Sequence, residues 1–62
     1  MLTPRQKDMV RLAKRNGKIN FRDGIAFYSC PKSMKQAFNR LVVLGYLDIA
    51  GIQRFIPTNK EL

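Results

Sequence analysis

The sequence predicts one small α+β domain, three helices followed by a C-terminal β-hairpin. Its 62 residues are enough for a single domain with a thin core, since a chain of this length buries only about 60% of its unfolded surface. Apolar residues recur at helical spacing as far as Leu44, and the period falls to two after Gly45. Pro4, Gly17, Pro31, Gly45, Gly51 and Pro57 all fall where an element should begin or end, and Gly24 alone does not.

The first helix is expected over about 4–16. Thr3 can cap it, Pro4 suits the first helical position and Gln6 can complete a capping box. Met9, Leu12 and Ala13 form its apolar stripe, and Asn16-Gly17 ends it. Lys18 to Phe21 is either a minimal strand or a bend. Asn20 is a candidate cap for a second helix over about 21–28, with Phe21, Ile25 and Tyr28 on one face. Gly24 implies either that this helix is short and frayed or that its backbone approaches a neighbour closely. Pro31 opens the third helix, about 31–44, with Met34, Ala37, Phe38, Leu41 and Leu44 as its core stripe. Gly45 ends it, with Tyr46 placed to close a Schellman motif on Leu41. The hairpin covers about 46–56 around Ala50-Gly51, closed by a two- or a three-residue loop. A tail, 57–62, follows Pro57.

Composition excludes much chemistry. There is no His and one Cys, so no imidazole base, no internal disulfide and no structural zinc site is expected. Asp8, Asp23, Asp48 and Glu61 are scattered rather than paired. The expectation is a non-enzyme with no cofactor, no metal and no evident small-molecule substrate. No apolar run reaches membrane-spanning length and the N-terminal residues carry no apolar signal core, which together with the lone Cys predicts a cytoplasmic protein.

The net charge is +8, and its placement is informative. Residues 1–40 hold ten basic and two acidic side chains, whereas residues 41–62 hold two of each. A polyanion is the partner such an asymmetry fits, and nucleic acid is the commonest. On the third helix, Lys32, Lys35, Gln36 and Asn39 lie opposite the core stripe, with Val43 at the end of that row and Ser33 and Arg40 flanking it. No acidic residue interrupts them. Gln and Asn can pair bidentately with adenine, and Lys and Arg can bond guanine N7 and O6. An ordinary solvated helix face explains the polarity but accounts less readily for the lack of Asp and Glu. Lys18, Arg22, Gln53 and Arg54 are candidates for backbone or accessory contacts. Many of the basic residues on the first helix are expected to be plain solvated surface.

A short helix turned into a longer one is the helix-turn-helix arrangement, and a hairpin directly behind it forms a wing. Ser33-Met34-Lys35-Gln36-Ala37-Phe38-Asn39-Arg40-Leu41, followed by Leu44-Gly45-Tyr46-Leu47, resembles the recognition helix and wing entry of winged helix-turn-helix regulators. Leu2-Thr3-Pro4-Arg5-Gln6 more weakly resembles the start of the DNA-binding domain of LexA-type repressors, without their protease domain. Asp23-Gly24 departs from the apolar and Ala residues usual there. The resemblance implies binding of double-stranded DNA by a prokaryotic or viral transcriptional regulator, with the third helix in the major groove. Two other readings stay open: a winged-helix protein-interaction module of a transcription or replication assembly, and an RNA-binding protein. A homodimer is also open, through Val42-Val43 unless the hairpin or first helix covers them. Ile49 and Ile52 are expected mainly to pack within the hairpin, and Cys30 to be an inert helix-flanking residue.

Overall fold

The computed structural model describes residues 2–62. It is an α+β arrangement of three helical segments and a three-stranded antiparallel sheet. The elements in chain order are α1 (Pro4–Asn16), β1 (Ile19–Asn20), a 3₁₀ helix (Phe21–Ala26), α2 (Pro31–Val43), β2 (Leu47–Gly51) and β3 (Arg54–Pro57). The sheet order is β1-β3-β2, so the last strand lies in the middle.

Local chemistry sets both ends of α1. The Thr3 hydroxyl accepts the Gln6 N–H at 3.2 Å, while the Gln6 side chain accepts the Thr3 N–H at 3.0 Å, so two otherwise orphaned donors are satisfied reciprocally. Gly17 stops the helix at φ 79°, in the left-handed region that costs a side chain most. The buried face is Met9, Val10 and Ala13 rather than Met9, Leu12 and Ala13. Helix α1 touches β1, β3 and α2 together, which turns Val10 fully inward and leaves Leu12 half-buried.

The second helix is shorter and tighter than expected. It is a six-residue 3₁₀ segment, and Asp23 caps it by accepting the Asn20 N–H at 2.9 Å. Ile25, expected inside, is 64% exposed. Gly24 is where this segment meets α2: a Cβ added there would lie 3.0 Å from both Met34 Sδ and Phe38 Cε2. The close approach expected for Gly24 is therefore present, and the helix is short, though it is capped rather than frayed. The Gly24 carbonyl accepts the Phe27 and Tyr28 N–H groups and ends the segment.

Helix α2 ends in a full Schellman motif. Gly45 sits at φ 87°, the Tyr46 N–H donates to Leu41 O at 2.9 Å and the Gly45 N–H to Val42 O at 3.1 Å. The tail residues Thr58 and Lys60 cover what remains. Thr58 Oγ1 donates to Gly45 O, and Lys60 Nζ donates to Leu44 O at 2.7 Å and lies 4.7 Å from the Tyr46 ring centre. Lys14 Nζ in turn donates to Lys60 O at 2.8 Å, tying the tail to α1.

The hairpin turn lies further along than expected. Leu47 pairs with Pro57, Ile49 with Phe55 and Gly51 with Arg54, with an irregularity between Ile49 and Gly51. The turn residues are thus Ile52 and Gln53, not Ala50-Gly51. Lys18 to Phe21 resolves as a strand plus a bend into the 3₁₀ helix, with Ile19 paired to Phe55 and Asn20 to Arg54. The core between these layers is Leu2, Met9, Val10, Ala13, Ile19, Met34, Ala37, Phe38, Leu41, Leu47 and Phe55. Phe27, Tyr28 and Tyr46, although spaced in the sequence as core residues, are only half-buried.

Gly24→Ala tests the close approach. Helix propensity alone would favour Ala by roughly 1 kcal/mol. The crowded Phe38 ring, however, is buried and stacked on Phe55, so making room for a Cβ would disturb that packing. The expected outcome is a net destabilisation of about 1–2 kcal/mol, as for other overpacked sites, seen as a lower urea midpoint at unchanged slope.

Candidate nucleic-acid interface

The exposed face of α2 holds five of the ten candidate residues. Lys32, Lys35, Gln36, Asn39 and Arg40 are all exposed. With 13 residues the helix is about 20 Å long at 1.5 Å per residue. Val43 extends the same row and is 82% exposed, so neither the hairpin nor α1 covers it. Val42 is packed against the core.

Two grooves bring the remaining candidates together. Lys35 and Asn39 of α2 face Ile49, Gly51 and Gln53 of the hairpin across a cleft of about 340 Å³, floored by Phe21, Phe38 and Phe55. Gln53 also lines a second, more polar concavity with Arg22, Arg54, Asn20, Asp23 and Ile52. Gln53 is thus common to the α2 side and the β1 side of the hairpin. Lys18, in the link after Gly17, is exposed and lines neither groove.

Ser33 differs from its neighbours. It is half-buried and lies in the first turn of α2, three residues after Cys30. Cys30 is the N-cap of α2 and is exposed. Its thiol titrates below the ordinary range, first because the Ser33 backbone N–H favours the thiolate and then because the Lys32 N–H does. Slight desolvation works against these contributions. Helix-start N–H groups stabilise an anion in this way.

Which cations are already engaged sharpens the picture. Among the described residues the only ion pair is Arg11–Asp8 at 3.2 Å, on the solvent side of α1. Arg5 lies 5.5 Å from the Tyr28 ring centre, and Lys14 and Lys60 are taken up by the tail. None of the six basic candidates Lys18, Arg22, Lys32, Lys35, Arg40 and Arg54 takes part in an ion pair among the described residues. Ile49 and Ile52, expected to pack within the hairpin, are 69% and 96% exposed instead. The tail contacts of Thr58 and Lys60 had no signal in the sequence, because they answer carbonyls freed only once α2 ends at Gly45. No described helix is long and apolar enough to cross a membrane.

The thiol at Cys30 provides a direct measurement. A lowered pKa means that the thiolate fraction of the folded chain rises at lower pH than that of the unfolded chain. Alkylation by iodoacetamide should therefore reach half its maximal rate at a lower pH in buffer than in denaturing urea. Equal midpoints would show that the start of α2 does not stabilise the anion. Comparison of the chain with protein-family models, with curated proteins and with solved structures finds no match.

Proposed function

We propose that this chain binds double-stranded DNA as a small winged helix-turn-helix regulator of prokaryotic or viral type, with α2 in the major groove. The observation that carries this reading is the exposed row Lys32, Lys35, Gln36, Asn39 and Arg40 on one helix, free of acids and of ion pairs among the described residues. A major groove about 12 Å wide admits one helix, and its base edges accept from or pair with these side chains. The order helix, strand, helix, helix, hairpin supports the reading, because it sets a hairpin directly behind the reading helix.

In this arrangement Gln36 and Asn39 read adenine, while Lys32, Lys35 and Arg40 serve guanine or the adjoining phosphates. Ser33 is a secondary contact, since it is half-buried. Lys18, Arg22 and Arg54 take backbone phosphates, which position the domain without reading sequence. Gln53 reaches from the hairpin. The domain acts by binding rather than by catalysis.

Selection of bound duplexes from a random pool, followed by anisotropy titrations, tests the reading. Duplex binding should weaken steeply with salt, log K falling with log salt by about 0.9 per phosphate neutralised. Gln36→Ala with Asn39→Ala should flatten sequence preference, each lost base contact costing about 1–3 kcal/mol on the preferred site. Lys18→Ala should weaken all sites alike and reduce the salt slope by about one. Palindromic selected sites would indicate a homodimer. Preference for structured RNA over duplex DNA, or no duplex binding at low salt, would overturn the reading.

A further inference from the structure

We propose that the hairpin tip is a minor-groove wedge. Ile52 enters between two stacked base pairs of duplex DNA, Arg22 and Arg54 take the flanking phosphates, and the duplex bends around the tip. The inference rests on the duplex-DNA reading above and adds to it a residue, a groove and a deformation.

Two local preferences are broken at one place. A two-residue hairpin turn favours Gly, Asn or Asp, because these tolerate a positive φ and solvent. Here the two positions are Ile52 and Gln53. Ile52 is 96% exposed, and Gln53 stands at φ 54°, the only residue other than glycine with a positive φ among the described residues. A β-branched apolar side chain in full solvent adds nothing to the core, and a left-handed glutamine is strained. Departures of this kind without a packing gain are where function is to be sought.

The tip is also held in place. The Phe21 N–H donates to Gln53 O at 2.7 Å, and Asn20 pairs with Arg54, so β1 buttresses the turn from the side. A wedge needs such a mount, since a loose tip would fold its apolar residue back onto the groove that Ile49 lines.

Charge around Ile52 selects the partner. The concavity it shares holds Arg22, Arg54, Gln53 and Asn20. The acid there, Asp23, is turned to the Asn20 N–H. An apolar point between cations and amides is the combination that minor-groove wedges use: the amides and cations hold the groove walls while the apolar group unstacks a step. Pyrimidine–purine steps unstack most easily, so the tip would favour them without a hydrogen bond to any base.

The probe is a selected duplex carrying 2-aminopurine at successive positions and a fluorophore pair at its ends. Binding by the unaltered chain should raise 2-aminopurine emission at one step and shorten the end-to-end distance. Ile52→Ala should remove both signals and weaken binding by about tenfold or more, as expected when an isoleucine is no longer buried. Ile52→Leu should retain them. Because Ile52 makes almost no contact within the domain, circular dichroism should show both variants folded. Duplex binding without unstacking, or an Ile52→Ala variant that still bends the duplex, overturns the wedge alone. No duplex binding by the unaltered chain overturns the DNA reading and the wedge with it.

Discussion

The arrangement depends on the Phe38 ring. It is buried in α2, stacked on Phe55 of β3 at 4.6 Å between ring centres and tilted against Phe21 at 5.6 Å. These contacts join α2 to the sheet and to the start of the 3₁₀ helix, and Gly24 leaves room for the ring's outer edge. Removing a buried Phe typically costs about 3–5 kcal/mol, similar to what the whole core of so short a domain supplies. Lys35 and Asn39, placed around Phe38 on the same helix, face Ile49 and Gln53 across the cleft whose floor includes that ring. The spacing between the candidate reading face and the hairpin is therefore set by core packing.

A second constraint operates at the far end of α2. Its last carbonyls are met by the Schellman bonds of Gly45 and Tyr46 and by Thr58 and Lys60. Because Lys14 donates to Lys60 O, the tail links α1 to the end of α2. These contacts also sort the charge. They engage cations on α1 and in the tail, while Lys32, Lys35 and Arg40 keep no ion-pair partner among the described residues. Lys32, Lys35 and Arg40 thus present uncompensated charge on one exposed face of α2.

Much of this was legible in the sequence, and the failures have physical causes. The ends of α1 and α2 were readable because Thr3-Pro4-Arg5-Gln6, Asn16-Gly17, Pro31 and Gly45 act within a few residues. The hairpin was found but its turn was misplaced. Gly51 advertises a turn, yet a two-residue loop at Ala50-Gly51 would set Leu47 opposite Arg54. Cross-strand partners share a face, so that pairing would draw a charge toward the core. The observed pairing puts Leu47, Ile49, Phe55 and Pro57 on one face. Parity alone would also have allowed the three-residue loop. What decides against it is long-range: Ile19 claims Phe55, and Phe21 claims the carbonyl of Gln53. The 3₁₀ helix was missed in type for the same kind of reason, since Gly24 packs under α2 rather than within a regular helix. For the candidate site, the α2 row was legible from its lack of acids, whereas the exposure of Ile52 depended on the turn that the sequence misplaced.

That displaced turn changes the role of the C-terminal third, which is neutral in total. With Asp48 and Glu61 set against Arg54 and Lys60, it looks like a passive support. Lys60, however, is taken up by Leu44 O and the Tyr46 ring, so Arg54 is the cation the hairpin has left, and it adjoins the turn at the most exposed isoleucine of the described chain. Backbone strain at one residue costs about 1–3 kcal/mol, a large fraction of what a core this thin supplies. A turn moved to Ile52-Gln53 brings that strain and an exposed side chain together at one point, braced by β1. Under the proposed reading the two surfaces would ask different things of a duplex: the α2 face would discriminate base edges, whereas the apolar tip would respond to how readily a step opens. Packing at Phe38 fixes the distance between them, so sequence reading and shape reading would be coupled through the core.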